Sequence, residues 1–194
     1  MLDLFSSNRT IDERLDDLKV EIKQYQSRIG TDSKKTKVKL FYGDLANFND
    51  GVLTISNPPK AKFFESPEDK ILLNLLNSFG LDKSFLTYNY LILGTNTPKE
   101  IKEFGYFVRK LVDIINPKLI ICMGEESHFC FYKRKFMMID FHGKVIGDYE
   151  GRPIMTTYPI FYYGEKSKFE NDSYREEIKR KDWTAIKDKY AELK

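Results

Sequence analysis

The feature that most constrains this chain is an alternation. Short continuous apolar runs, GVLTIS (51–56), SFLTYNYLIL (84–93) and NPKLIICMG (116–124), are separated by longer segments of helical period. Runs that stay apolar at consecutive positions belong to strands buried on both faces, and strands joined through helices pair in parallel. The expected architecture is therefore α/β: three αβα layers around a central, mostly parallel four-stranded sheet.

The helices declare themselves by their ends. Thr10 with Glu13 makes a capping box, and Ile11, Leu15, Leu18, Ile22, Tyr25 and Ile29 form one stripe before Gly30, so a helix is expected over about 10–29. In SPEDKILLNLLNSFG, Ser66 caps, Pro67 takes the first helical position and Gly80 stops the helix. Pro98 opens a further helix, and EESHFCFYKRK (125–135) reads as another. GKVIGDYEGRPIMTTYP (143–159) reads as two strands around Glu150 and Gly151, followed by an amphipathic C-terminal helix; VKLFY (38–42) reads as a strand.

At 194 residues and 41% hydrophobic content, without a long polar linker, the expectation is a single domain over 1–194. The longest apolar run is too short to span a bilayer, and MLDLFSSNRT lacks a basic region followed by an apolar one, so a soluble cytoplasmic chain with no membrane partner is expected. Two cysteines, Cys122 and Cys130, make neither a disulfide framework nor a metal cluster; no metal and no cofactor are expected. Net charge is only +3, but basic residues bunch near aromatics at 33–39, 132–135 and 177–181, a composition suited to nucleic acid as well as to an ordinary solvated face.

In a parallel sheet ligands bind beyond the carboxyl ends of the strands. One such end is unusual: the run at 51–56 stops at Asn57, followed by Pro58, Pro59, Lys60, Lys62 and the pair Phe63 and Phe64. Asn-Pro-Pro terminates a strand whatever its function, and it also holds a polar side chain at low entropic cost.

The order of pieces resembles the uracil-DNA glycosylase superfamily, in layout its compact microbial branch, family four. The counterparts are LKVEIKQYQSRIG, KVKLFYGDLANFNDG, VLTISNPP, KAKFFES, LLNLLNSFGL, FLTYNYLI and NPKLIICMG, spanning nearly the whole chain. The family's iron-sulfur cysteines are absent, with Tyr25 and Arg28 at two of their places. TYPIF stands where the family carries H-P-S, so its histidine is missing, and neither His128 nor His142 falls at that strand end in the sequence. ISNPP is similar instead to the G-I-N-P-G of the mismatch-specific uracil and thymine glycosylases.

That resemblance implies roles residue by residue. Asn57 would orient the hydrolytic water; Phe64, or Phe63, would stack on an extruded base; Asn89 would read its edge through an amide, with Ser56 beside them. Lys60, Lys62, Tyr162, Tyr163, Lys166 and Lys168 would contact single-stranded DNA or distorted duplex, while the aromatic loop Phe161–Tyr163 suits a protein partner as well. The function implied is DNA binding with slow, monofunctional excision of uracil or a modified pyrimidine. The alternative is a fold that has lost catalysis and serves as a DNA- or protein-binding module in replication or host interference. A doubly wound nucleotide-binding enzyme is disfavoured, because no glycine-rich phosphate loop follows the first strand.

Overall fold

The computed structural model describes residues 9–28, 45, 48, 51–56, 67–81, 85–89, 98–132, 136–163 and 172–194. The expected strand at 38–42 and the continuation of the second run through 90–93 lie outside the described residues.

Among the described residues five strands form one sheet in the order β2-β1-β3-β5-β4. The four parallel members are β1 (Val52–Ser56), β2 (Phe85–Asn89), β3 (Leu119–Met123) and β5 (Arg152–Thr157). The fifth, β4 (Lys144–Tyr149), is antiparallel to β5 and raises the strand count above the expected four. It is the first arm of the hairpin read from the sequence. Its two linking residues, Glu150 at φ 51 and Gly151 at φ 80, adopt the left-handed conformations whose twist suits a two-residue hairpin.

Side-chain alternation along β3 explains the layers. All five of its residues are buried. Ile120 and Cys122 join a cluster with Leu15, Leu18 and Ile22 of α1 (Ile11–Arg28) and with Val108, Leu111 and Val112 of α3 (Pro98–Ile115). Leu119, Ile121 and Met123 join the opposite cluster, with Leu72, Leu75 and Leu76 of α2 (Pro67–Phe79) and with Ile178, Trp183 and Ile186 of α5 (Asp172–Glu192). Helices therefore cover both faces, and the three-layer αβα expectation holds. No described helix is long and apolar enough to cross a membrane.

A local signal accounts for the start of α1. The Glu13 amide donates to Thr10 Oγ1 at 3.3 Å, and the Thr10 amide donates to the Glu13 carboxylate at 2.8 Å, closing both halves of the capping box. A Lys110–Glu21 pair at 2.7 Å then ties α1 to α3.

The helix expected at 125–135 is a correction. Only a short 3₁₀ turn forms, Glu126–Cys130. Its buried groups are bonded to the sheet and to α3 rather than arranged on a helical face. Ser127 Oγ donates to the Gly124 carbonyl at 2.7 Å, Arg109 holds the Cys130 carbonyl, and His128 Nε2 lies 2.7 Å from Thr156 Oγ1. The Thr156 hydroxyl itself reaches the Cys122 carbonyl at 3.2 Å, so His128 is the donor to Thr156. A helix cannot satisfy these fixed partners on three sides. The segment Lys133–Lys135 lies outside the described residues.

His128 has no exposed surface, and burial lowers its pKa from 6.5 to about 4. The unfolded chain therefore takes a proton between those values while the native chain does not. Stability associated with this group is complete above pH 6.5 and is lost as pH falls through about 4, by about 3 kcal/mol in all. Urea titrations of wild type and His128→Gln between pH 7 and pH 4 should show the acid loss reduced by about that amount in the variant; parallel curves would refute the assignment.

Candidate functional site at the carboxyl edge of the sheet

Register aligns the carboxyl ends of the parallel strands in a row. Asn89 of β2 pairs with Ser56 of β1, Ser56 with Met123 of β3, and Met123 with Thr157 of β5. The chain leaves β1 through α2 to β2 on one side, then crosses through α3, on the opposite face, to β3 on the other side. The order of the sheet thus reverses between β1 and β3, and this is where a crevice opens beyond the strand ends in such sheets. Ser56 and Gly124 lead out of the two strands that bound it.

Of the residues singled out in the sequence, Ser56 and Asn89 are brought to this edge on adjacent strands. Asn57, Lys60, Lys62 and Phe64 follow β1 and lie outside the described residues, as do Lys166 and Lys168 after β5. Tyr162 is half-buried, with its ring 5.5 Å from that of Tyr158. Tyr163 is a correction. It is only 4% exposed, and its hydroxyl turns inward to Thr157 and Asp182, so it has no surface to offer DNA.

Those inward bonds reveal a cluster that sequence reasoning missed. Asp182, halfway along α5, is completely buried. Its Oδ2 accepts from Thr157 Oγ1 at 2.8 Å and from Tyr163 Oη at 3.1 Å, and these two hydroxyls lie 2.6 Å from each other. Its Oδ1 lies 2.6 Å from Nδ1 of His142. Burial, then the neighbouring Asp182 charge, push the Tyr163 hydroxyl well above its ordinary pKa, so it remains a donor.

His142 reaches this edge from an unexpected direction. It follows the short helix α4 (Met138–Phe141) and precedes β4. Because β4 runs antiparallel, its start adjoins the end of β5: the Gly143 amide donates to the Thr156 carbonyl at 2.7 Å. Gly143 has φ 68, and a Cβ there would stand 2.8 Å from Asp182 Oδ1. Only glycine permits both the left-handed backbone and the close carboxylate. The His142 ring then rests against Tyr158 at 5.1 Å. A histidine thus stands at this end of the sheet, supplied by the turn before β4.

One signal could have marked Asp182. Ile178, Asp182, Ile186 and Tyr190 recur at steps of four on the buried stripe of α5. A carboxylate in phase with such a stripe must find donors inside.

On the far side of Tyr163, α2 and α5 bound a cleft of about 740 Å³, lined by Ile71, Leu75, Phe79, Glu177 and Arg180. Of the residues singled out in the sequence it contains Tyr163 and part of the basic cluster at 177–181. Among the described residues no group of three or more His, Cys, Asp or Glu side chains is placed to hold a metal ion.

No protein-family model matches the chain, and no curated protein matches its sequence.

Truncating Asp182 leaves three inward-facing polar groups without their shared partner. Asp182→Ala should cost about 3–5 kcal/mol of unfolding free energy, the range for breaking a buried polar or ionic network. Denaturant unfolding checks this; a loss below about 1 kcal/mol, the scale of an exposed pair, would show that the cluster contributes little.

Proposed function

We propose that this chain is a DNA-binding protein on the uracil-DNA glycosylase plan, which receives an extruded pyrimidine in the crevice beyond β1 and β3 and hydrolyses its N-glycosidic bond slowly. The observation that carries this reading is the carboxyl-edge row, in which Asn89 and Ser56 are directly paired and the sheet order reverses beside them. Asn57 is the next residue after Ser56. The residue assigned to the base edge therefore ends β2, and the residue assigned to water follows in sequence the end of the adjacent strand β1.

The chemistry needs little more than position. Glycosidic hydrolysis passes through an oxocarbenium-like sugar, so an amide that fixes a water near the anomeric carbon and donors that meet the departing base supply most of the assistance. Phe64 would stack on the base, and Lys60, Lys62, Lys166 and Lys168 would meet phosphates on either side of the crevice. This pocket carries no catalytic histidine on its own strand end: Tyr158 stands there. Loss of one preorganised donor commonly lowers a rate on the order of a hundredfold, which supports slow turnover.

Oligonucleotides carrying uracil, hydroxymethyluracil or mismatched thymine, treated with the protein and then with alkali, test the reading. Incision is expected for wild type and absent for Asn57→Ala, with DNA affinity retained, because Asn57 acts mainly in the transition state. Asn89→Ala should change which base is accepted. Complete inactivity of wild type on all bases, with binding intact, would favour the binding-module alternative.

Binding should weaken steeply with salt. Each lysine that neutralises a phosphate of a single strand contributes about 0.7 to the slope of log affinity against log salt. Fluorescence anisotropy of Lys166→Ala and Lys168→Ala should each show the slope reduced by about that amount; salt-independent binding would remove DNA as the partner.

A further inference from the structure

The cluster around Asp182 does more than satisfy a buried charge, because it leaves one polar atom outside. Oδ1 accepts from His142 Nδ1, which places a proton on that nitrogen; in the neutral ring Nε2 then carries the lone pair. The His142 side chain is 11% exposed, and Nε2 is not among the buried polar atoms left without a partner, as His128 Nδ1 is. Among the described residues nothing is hydrogen-bonded to Nε2. The two histidines of the chain thus stand in opposite states: His128 is sealed in the core and donates to Thr156, whereas His142 is oriented from behind and open in front.

We propose that His142 is a proton-accepting residue at the carboxyl edge, held by Asp182, and that it takes a hydrogen bond and then a proton from an O–H or N–H of a ligand lying against Tyr158. The inference rests on the proposed function for the identity of that ligand, a nucleotide, but not for the acceptor itself. In the transfer, the proton moves to Nε2 and its bonding pair stays on the ligand oxygen or nitrogen. The imidazolium formed is compensated by the Asp182 carboxylate 2.6 Å away. Thr157 and Tyr163 keep that carboxylate in place by their hydroxyls, and Gly143 lets the turn approach it.

This arrangement has the logic of an acid–base pair in which a carboxylate selects the tautomer and orientation of an imidazole. The rings of His142, Tyr158 and Tyr162, at centroid spacings of 5.1 and 5.5 Å and tilted by 45° and 49° to one another, put aromatic surface beside the acceptor.

Diethyl pyrocarbonate, which acylates unprotonated accessible imidazole, separates the two residues because the chain has just two histidines. With wild-type protein at neutral pH, one equivalent should be incorporated, and peptide mass mapping should place it on His142. Nitrogen-15 spectra should show a proton on Nδ1 and a lone pair on Nε2 of that residue. A saturating uracil-containing oligonucleotide should slow the modification at least tenfold.

Failure of this inference and failure of the proposed function read differently. If the oligonucleotide binds but leaves the modification rate unchanged, the nucleotide does not lie against His142 and the inference falls while DNA binding stands. If no oligonucleotide binds, the proposed function falls, and the unliganded protein decides the acceptor: labelling of His142 with the Nδ1–H tautomer supports it, and an unreactive His142 or the opposite tautomer overturns it.

Discussion

A buried carboxylate organises the end of the sheet where a ligand would bind. Removing an ionised Asp from water carries a penalty of several kcal/mol even after relaxation, and it is tolerated only when donors replace the lost hydration. Asp182 obtains them from three separate stretches of chain: Thr157 ending β5, Tyr163 in the turn beyond, and His142 before β4. Each donor is thereby fixed relative to α5, and so are the segments that carry them. Hydrophobic packing of Ile178, Trp183 and Ile186 determines that α5 lies on the sheet, while the carboxylate determines where along it the edge is pinned.

The sheet supplies the complementary constraint. Since β3 is buried on both faces, its neighbours β1 and β5 are held in parallel register, and their carboxyl ends cannot be far apart. One strand spacing is about 5 Å, so Ser56 and Thr157, two strands apart, are separated by about 10 Å along the edge. Functional groups at the two positions share one surface without touching. The end of β1 and the histidine beside β5 are therefore two parts of one edge, with Met123 and Gly124 between them.

Much of this fold was legible because its signals are local. The Thr10 and Glu13 capping box, the continuous apolar run that became β3 and the Glu150-Gly151 turn each depend on a few adjacent residues, and each formed as read. The segment 125–135 misled because helix propensity ignores tertiary partners; Ser127 and His128 are instead committed to Gly124 and Thr156. The site was less legible for the same reason. Asp182 meets Thr157 across 25 residues and His142 across 40, and no local pattern announces those pairings. The resemblance assigns Tyr163 to a DNA contact, but its hydroxyl bond to Asp182 turns it inward. Asn57 and Phe64 rest on sequence alone, since they lie outside the described residues.

The position of His142 shows why a strand-end motif is a poor guide to the chemistry of an edge. A side chain at the end of a parallel strand and one at the start of an antiparallel neighbour occupy the same end of the sheet, although they come from chain segments of opposite direction. Here Lys144 is the partner of Thr156, so two residues before Lys144 the chain passes directly beside the end of β5. At this end of the sheet the imidazole comes from the turn before β4 and has Tyr158, just past the end of β5, as its aromatic neighbour. The support is also stiffer than a loop of its own would be, because Gly143 is bonded to Thr156 and His142 to Asp182. What such an edge can do chemically follows from which nitrogen is left unpaired and what lies behind the other, and both follow from the one carboxylate on α5.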